Sequence, residues 1–281
     1  MKRKIVSIAL VCVMTVSMTA CGKSEKESSQ KTVDVSASEV ISKMVDASQD
    51  TKSADSTVEL KFSAENDGSK LDLSGKMDVK ATEDPTASYV NLELSSKADG
   101  DSNDINYELY LMEDNGDYKM YIGTEGQWAS TTMSADDLGV DVADLTDSYS
   151  QIKEYITDDN IDKYFSNVKV TEKKVDKKAC YSVKGDVKSD VVDDLLASAE
   201  SLMGTGIDLS DIGFSVEICA DKKTNKPASL TITANSGKDS AIDIKDCSIS
   251  IKYNSYDVDA ITLPEEAENA PEIDSLLDSL Y

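Results

Sequence analysis

From Val58 to Ile122 the chain alternates apolar and polar positions with a period of two: Val58/Leu60/Phe62, Leu71/Leu73/Met77/Val79, Val90/Leu92/Leu94, Ile105/Tyr107/Leu109/Leu111 and Tyr118/Met120/Ile122. In an extended chain successive side chains point to opposite faces, so each run predicts a strand with one apolar side. The segments between them, ENDGSK, TEDPTA, ADGDSND and EDNGD, are rich in turn-forming residues. Short strands joined in this way predict an antiparallel meander with one face buried and one wet.

The pattern returns further on. Strands are expected around Val168, around Tyr181/Val183/Val187, and at Phe214/Val216/Ile218, Leu230/Ile232/Ala234 and Ile242/Ile244. In AIDIKDCSISIKY the alternation slips from Ile242/Ile244 to Cys247/Ile249/Ile251/Tyr253, which predicts a β-bulge near Lys245-Asp246.

Helical periodicity occupies other stretches. Ser36-Ala37-Ser38-Glu39 matches a capping box and opens a helix from about Ser38 to Gln49, with Val40, Ile41, Met44 and Val45 on one face. The segment from Ser134 to Phe165 reads as helical in pieces. In SDVVDDLLASAESLMG a stripe that includes Leu195, Leu196, Leu202 and Met203 ends at Gly204, a natural stop. Pro271, Glu272 and Asp274 suit the start of a final helix. With no repeat and no Pro- or Gly-rich linker, residues 36–281 read as one α+β domain: a large curved antiparallel sheet of roughly ten to twelve strands, with helices packed on one face.

The N-terminus departs from both periods. Lys2-Arg3-Lys4 precedes an apolar run from Ile5 to Val16, and small residues lead to Cys21. This is the layout of an export signal, too short to be a spanning helix. Met18-Thr19-Ala20-Cys21 resembles the bacterial lipobox, in which cleavage precedes a cysteine carrying diacylglycerol. Residues 1–20 are therefore expected to be removed, Cys21 to be acylated, and residues 21–35 to form a flexible tether reaching about 20 Å. Two acyl chains anchor far better than one, so the expected location is the cell membrane, lipid-anchored on its extracellular side.

Composition narrows the chemistry. The 281 residues carry a formal net charge of -25, which repels nucleic acid and anionic membrane surfaces. Histidine is absent, removing the commonest general base, the commonest metal ligand and every Ser-His or Cys-His pair. The loop from Asp99 starts like an EF-hand, yet Asp104 stands where glycine is needed and Tyr110 where a bidentate glutamate is needed. EDNGD contains the Asn-Gly of a tight hairpin. Ser150-Gln151-Ile152-Lys153 matches S-x-x-K, but the same spacing recurs at Ser28/Lys31 and Ser166/Lys169, with no K-T-G partner. Paired carboxylates for glycoside hydrolysis lack support from a chain only 6% aromatic. No enzyme, cofactor or metal site is expected.

Cys180 is out of phase with Tyr181/Val183 and Cys219 with Phe214/Val216/Ile218, so both are expected to face away from the apolar side. On adjacent strands they could form a disulfide; free thiols are the alternative. Cys247 shares a face with Ile249 and Ile251. Leu195, Leu196, Leu202 and Met203 are read either as core packed on the sheet or as the lining of an apolar cavity.

Three segments together carry a family resemblance. The helix SASEVISKMVDASQDTKS running into long amphipathic strands, the pair DYKMYIGTEGQWAS ending at a tryptophan, and the hairpin ICADKKTNKPASLTI resemble uncharacterised surface lipoproteins of Gram-positive bacteria, whose fold is similar to LolA and LppX. The hairpin turn, with Asp221, Lys222, Lys223, Thr224, Asn225 and Pro227, is the most specific of the three. The resemblance implies a half-barrel sheet whose concave side, plugged by helices, takes up acyl chains or other apolar ligands. It brings no residue-level site, since fold does not specify function. The expected partners are the membrane, through Cys21, and a lipid or apolar small molecule. The competing expectation is a surface or envelope lipoprotein with a filled core that acts through protein contacts.

Overall fold

The structure is a computed structural model that describes residues 33–273 apart from 50, 67–68, 99–100, 115, 135–157, 190–211 and 237–242. Ser36 caps the first helix, α1 (Ala37–Ser48): its hydroxyl accepts the Glu39 N–H at 3.2 Å. Six strands follow: β1 (Ser53–Asn66), β2 (Ser69–Glu83), β3 (Thr86–Ala98), β4 (Asp101–Asp114), β5 (Asp117–Thr124) and β6 (Gln127–Met133). A short helix α2 (Asp158–Tyr164) leads into β7 (Phe165–Val175), β8 (Lys178–Val187), β9 (Ile212–Asp221), β10 (Pro227–Ser236) and β11 (Asp243–Ser255). The last short helix is α3 (Glu265–Glu268).

All eleven strands join one open antiparallel sheet in the order β6-β5-β4-β3-β2-β1-β11-β10-β9-β8-β7. The chain enters at the middle, meanders out to β6, resumes at the opposite edge with β7, and meanders back until β11 pairs with β1. Among the described residues the fold is thus mostly β with few short helices, where an α+β domain with a large antiparallel sheet was expected; the sheet is as expected, and much of the expected helix lies outside the described residues. Turn chemistry fixes the hairpins. Thr124 and Gln127 pair across Glu125 and Gly126, both with positive φ. Asp114 and Asp117 likewise pair across a two-residue turn, with Gly116 at φ 97°.

The register sorts every strand into two faces. On the apolar face, cross-strand rows such as Ile251–Val58–Met77–Leu92–Tyr107 and Ile249–Leu60–Gly75–Leu94–Ile105 run through five strands. At the β7–β9 end α1 covers this face: Val40, Ile41 and Val45 pack on Val183 and Ala220, with Ile161 of α2 beside them. In the centre Val58, Val79, Cys247, Ile249, Ile251 and Tyr253 form a buried cluster. The expected bulge is present: Ser63 pairs with Asp246 and Ala64 with Ile244, leaving Lys245 as the extra residue.

Cover is not confined to one face, which corrects the expectation of helices on a single side. After β11 the segment from Asp257 to Glu272 crosses the polar face as a strap. The Val258 N–H donates to the Ser53 hydroxyl at 3.0 Å, and Ile261 and Ala267 are buried. At the far edge the Ser130 N–H donates to the Pro271 carbonyl at 2.8 Å, and the Ser130 hydroxyl donates to the Ala270 carbonyl at 3.1 Å. Part of the otherwise unpaired β6 edge is thereby satisfied, which blunts it against pairing with another chain.

Candidate functional site

The apolar face changes character across the sheet. Beneath α1 and in the centre buried side chains such as Val183, Val58, Ile249 and Ile251 stand among half-buried ones such as Leu60, Val216, Ile218, Leu230 and Ile232. Over β2–β5 most are half-buried, Leu73, Met77, Leu92, Leu94, Leu109, Leu111, Met120 and Ile122 among them, and the exposed large apolar side chains lie there. Leu71, Ile105 and Tyr107 are 42%, 37% and 38% exposed. Gly75 makes one row shallow: a Cβ there would lie 2.7 Å from Leu94 Cδ2, so the Leu94 side chain occupies the space that any larger residue would need. Among the described residues the result is a broad, incompletely covered apolar surface built by strict alternation.

The polar face holds two grooves bordered by described residues. The larger, about 770 Å³, takes its lining from two polar rows, Glu59–Lys76–Glu93–Asn106 and Lys61–Ser74–Ser95–Asp104, together with Leu60, Gly75, Leu94 and Ile105 of the row between them. Of the residues that flank that middle row on the apolar side, Val58, Met77, Leu92, Phe62 and Leu73 are not part of the lining, whereas Tyr107 is, together with Thr124 and Glu125 at the β5–β6 turn. The two polar rows supply most of the lining, so the groove opens chiefly on the polar side.

The smaller groove, about 480 Å³, lies between the strap and one cross-strand row, Asp55–Lys80–Tyr89–Tyr110, with Asp257, Val258, Asp259, Ile261 and Thr262 opposite. Tyr89 and Tyr110 meet with ring centroids 4.7 Å apart, and Tyr110 meets Trp128 at 5.7 Å. The indole lies over Gly123, its directly opposite partner, where a Cβ would come within 2.7 Å of the ring. Burial, reinforced by the Glu108 carboxylate that accepts the Tyr89 hydroxyl at 3.4 Å, pushes the Tyr89 phenol up to about 12. It stays a neutral hydrogen-bond donor at physiological pH. No reading of alternation singled out these three aromatics. Their signal was available, because Tyr89 and Tyr110 fall out of phase with Val90/Leu92 and Leu109/Leu111.

Among the residues singled out from sequence, Cys21 and the stripe Leu195, Leu196, Leu202 and Met203 lie outside the described residues. Cys180 and Cys219 do sit on adjacent strands, on the side away from the apolar rows, as diagonal neighbours: Ser182 faces Cys219 and Asp221 faces Cys180. They are fully buried with Ala228, both are free thiols, and no disulfide joins them. Their burial on a polar face has a physical cause. Lys173 of β7 reaches over β8 to Glu217 of β9 at 2.9 Å, and Ser182 of β8 donates to the same carboxylate, roofing this part of the sheet. Burial pushes both thiols up, so neither is an activated nucleophile. Cys247 lies on the apolar face opposite Phe62, also buried and free.

Among the described residues the architecture is thus a single open antiparallel sheet with one half-covered apolar face and a strapped polar face. The chain belongs to a family of unknown function, DUF6612, whose model matches residues 36–272. Among solved structures it is similar to LprF from Mycobacterium bovis, with 13% identity and a TM-score of 0.43, over 82% of this chain and 97% of that one. It is also similar to a β-barrel-like protein of the DUF1849 domain from Brucella abortus, with 9% identity and a TM-score of 0.26, over 71% and 95% of the two chains. A DUF1329 family protein from Desulfovibrio piger matches with 15% identity and a TM-score of 0.22, over 79% and 93%. No match is found among curated proteins.

Proposed function

We propose that this protein is a membrane-anchored extracytoplasmic lipoprotein that holds an acyl chain, or an apolar ligand of similar shape, against the β2–β5 part of its apolar face. The observation that carries this reading is the half-exposed apolar surface around Leu71, Ile105 and Tyr107. Isolated exposed leucines are ordinary, but a contiguous apolar sheet face invites cover. The lipobox-like residues ending at Cys21 support the anchor and would keep this face near a source of acyl chains.

Magnitudes bound the affinity. Fourteen methylenes buried at about 0.8 kcal/mol each contribute about 11 kcal/mol. Association costs about 4 kcal/mol or more, leaving about 7 kcal/mol at most, a Kd of about 10 μM. A chain covered on one side only binds more weakly.

A second reading, a surface lipoprotein that works through protein contacts, is favoured by the placement of both grooves on the polar face. Titrating cis-parinaric acid into protein lacking residues 1–35 separates the two. The first reading gives saturable fluorescence, weakened about tenfold by Tyr107→Lys. Absence of saturation up to about 100 μM leaves only the second.

A further inference from the structure

The aromatic row on the polar face has no part in the apolar reading. Tyr89, Tyr110 and Trp128 stand on the side of the sheet opposite the apolar rows, beside the buried Tyr121 and Ser130. They form a tilted, half-buried surface three rings long. If they served only to seat the strap, its side chains would fill the space above them. Instead about 480 Å³ remains between the two tyrosines and the strap, within the usual range of small-molecule pockets, about 300–1,000 Å³.

The groups around that space are mixed. Lys80 offers an ammonium, Thr262 a hydroxyl, Asp257 and Asp259 carboxylates, and the tyrosines phenols. The Asp55 carboxylate accepts from the Asn254 amide at 2.8 Å and is already engaged. An organic cation would meet Lys80 in the middle of the row; an anion would meet Asp257 and Asp259. A neutral polyol fits both: its hydroxyls donate to the carboxylates and accept from Lys80, and an apolar ring face lies on the aromatics.

We propose that the polar face of β1–β4 binds a neutral pyranose oligosaccharide, with Tyr89 and Tyr110 as the stacking surface and Lys80, Asp257 and Asp259 as its hydrogen-bonding partners. The larger groove extends the site. It lies on the same face, and from Tyr89 to Ser95 along β3 is about 20 Å at about 3.4 Å per residue. Its lining of Glu93, Ser95, Asp104 and Asn106, with Lys61 and Lys76, again mixes donors and acceptors. The face therefore suits a chain of several sugar units rather than a single one. At the smaller groove this proposal is independent of the apolar-ligand reading, because Tyr89, Tyr110 and Lys80 lie on the opposite side of the sheet; the larger groove shares Ile105 and Tyr107 with that reading.

The chain holds a single tryptophan, so its emission reports on the ring beside Tyr110. Cellotetraose, maltotetraose and tetra-N-acetylchitotetraose are titrated into protein lacking residues 1–35, with Trp128 emission and calorimetry as readouts. At least one gives a saturable change with a millimolar or tighter Kd. Tyr89→Ala weakens it about tenfold, while Lys80→Met and Asp259→Asn, both at exposed positions, each weaken it severalfold without lowering the urea midpoint. None of the three weakens cis-parinarate binding. The proposal is overturned if no probe binds at about 10 mM, or if binding survives all three substitutions unchanged.

Discussion

Replacing Gly123 by alanine is a one-carbon change whose consequence follows from distances. The new Cβ would stand 2.7 Å from Cη2 and Cζ3 of Trp128 and 2.8 Å from Cζ2, against an optimum of about 3.5–4.0 Å between carbons. The indole must lift by about 1 Å. Overpacking of this kind costs about 1–3 kcal/mol. Weakening the Trp128–Tyr110 contact forfeits part of the about 0.5–1.5 kcal/mol that such a pair contributes. Against this, alanine restricts the unfolded chain and returns about 0.4–1 kcal/mol. The net is a destabilisation of about 1–2 kcal/mol. Urea unfolding followed by Trp128 emission reads both parts: a lower midpoint, and a native spectrum shifted to the red as the ring meets water. An unchanged or higher midpoint with an unchanged native spectrum would refute the packing of Trp128 on Gly123.

Two further outcomes test other parts of the structure. Protein lacking residues 1–35, alkylated with iodoacetamide at pH 8, takes up almost no label while folded, because Cys180, Cys219 and Cys247 are buried and burial raises the first two thiols. It takes up three labels in urea without reductant; a single label would reveal a Cys180–Cys219 disulfide and contradict the free-thiol arrangement. Burial works against the charged form of Asp78, but hydrogen bonds from Lys76 and Thr57 outweigh it and hold the carboxyl below its ordinary 3.8. A lowered carboxylate stabilises the fold above that value and ceases to as pH falls through the folded-state titration. Asp78→Asn therefore lowers the urea midpoint at pH 7 and matches the parent at pH 2; an equal deficit at both would contradict the assignment.

Much of the sheet was legible because alternation is a local signal. The runs from Val58 to Ile122 became β1–β5 with their apolar residues in register, and the slip at Lys245-Asp246 became a bulge opposite Ser63/Ala64. The turn at Asp221 was legible for the same reason: its carboxylate accepts the Lys223 and Thr224 N–H groups, and Asn225 adopts positive φ. What local pattern does not encode is which strands meet. The β1–β11 pairing that joins the two meanders, and the alignment of Lys80, Tyr89 and Tyr110 in one row, are products of register over long separations. The strap was hidden because its few apolar residues, such as Ile261 and Ala267, have no period. The buried polar-side cysteines were placed on the correct side, but their burial depended on Lys173 and Glu217 meeting over an intervening strand. The stretch from Ser134 to Phe165, helical in pieces by its pattern, holds a helix at Asp158–Tyr164 among its described residues, and Phe165 begins β7.

Whether the apolar face carries a lipid is tested most directly by native mass spectrometry of residues 36–281 exported from a bacterial host behind an ordinary cleavable secretion signal that carries no lipobox. Without the anchor, any bound lipid is a ligand of the fold. The expected spectrum shows the processed polypeptide together with a heavier species that releases a lipid mass on activation, and that species is lost in Tyr107→Lys. A bare polypeptide mass for the parent form, with no lipid recovered by solvent extraction, would contradict the proposal that the β2–β5 face holds an acyl chain.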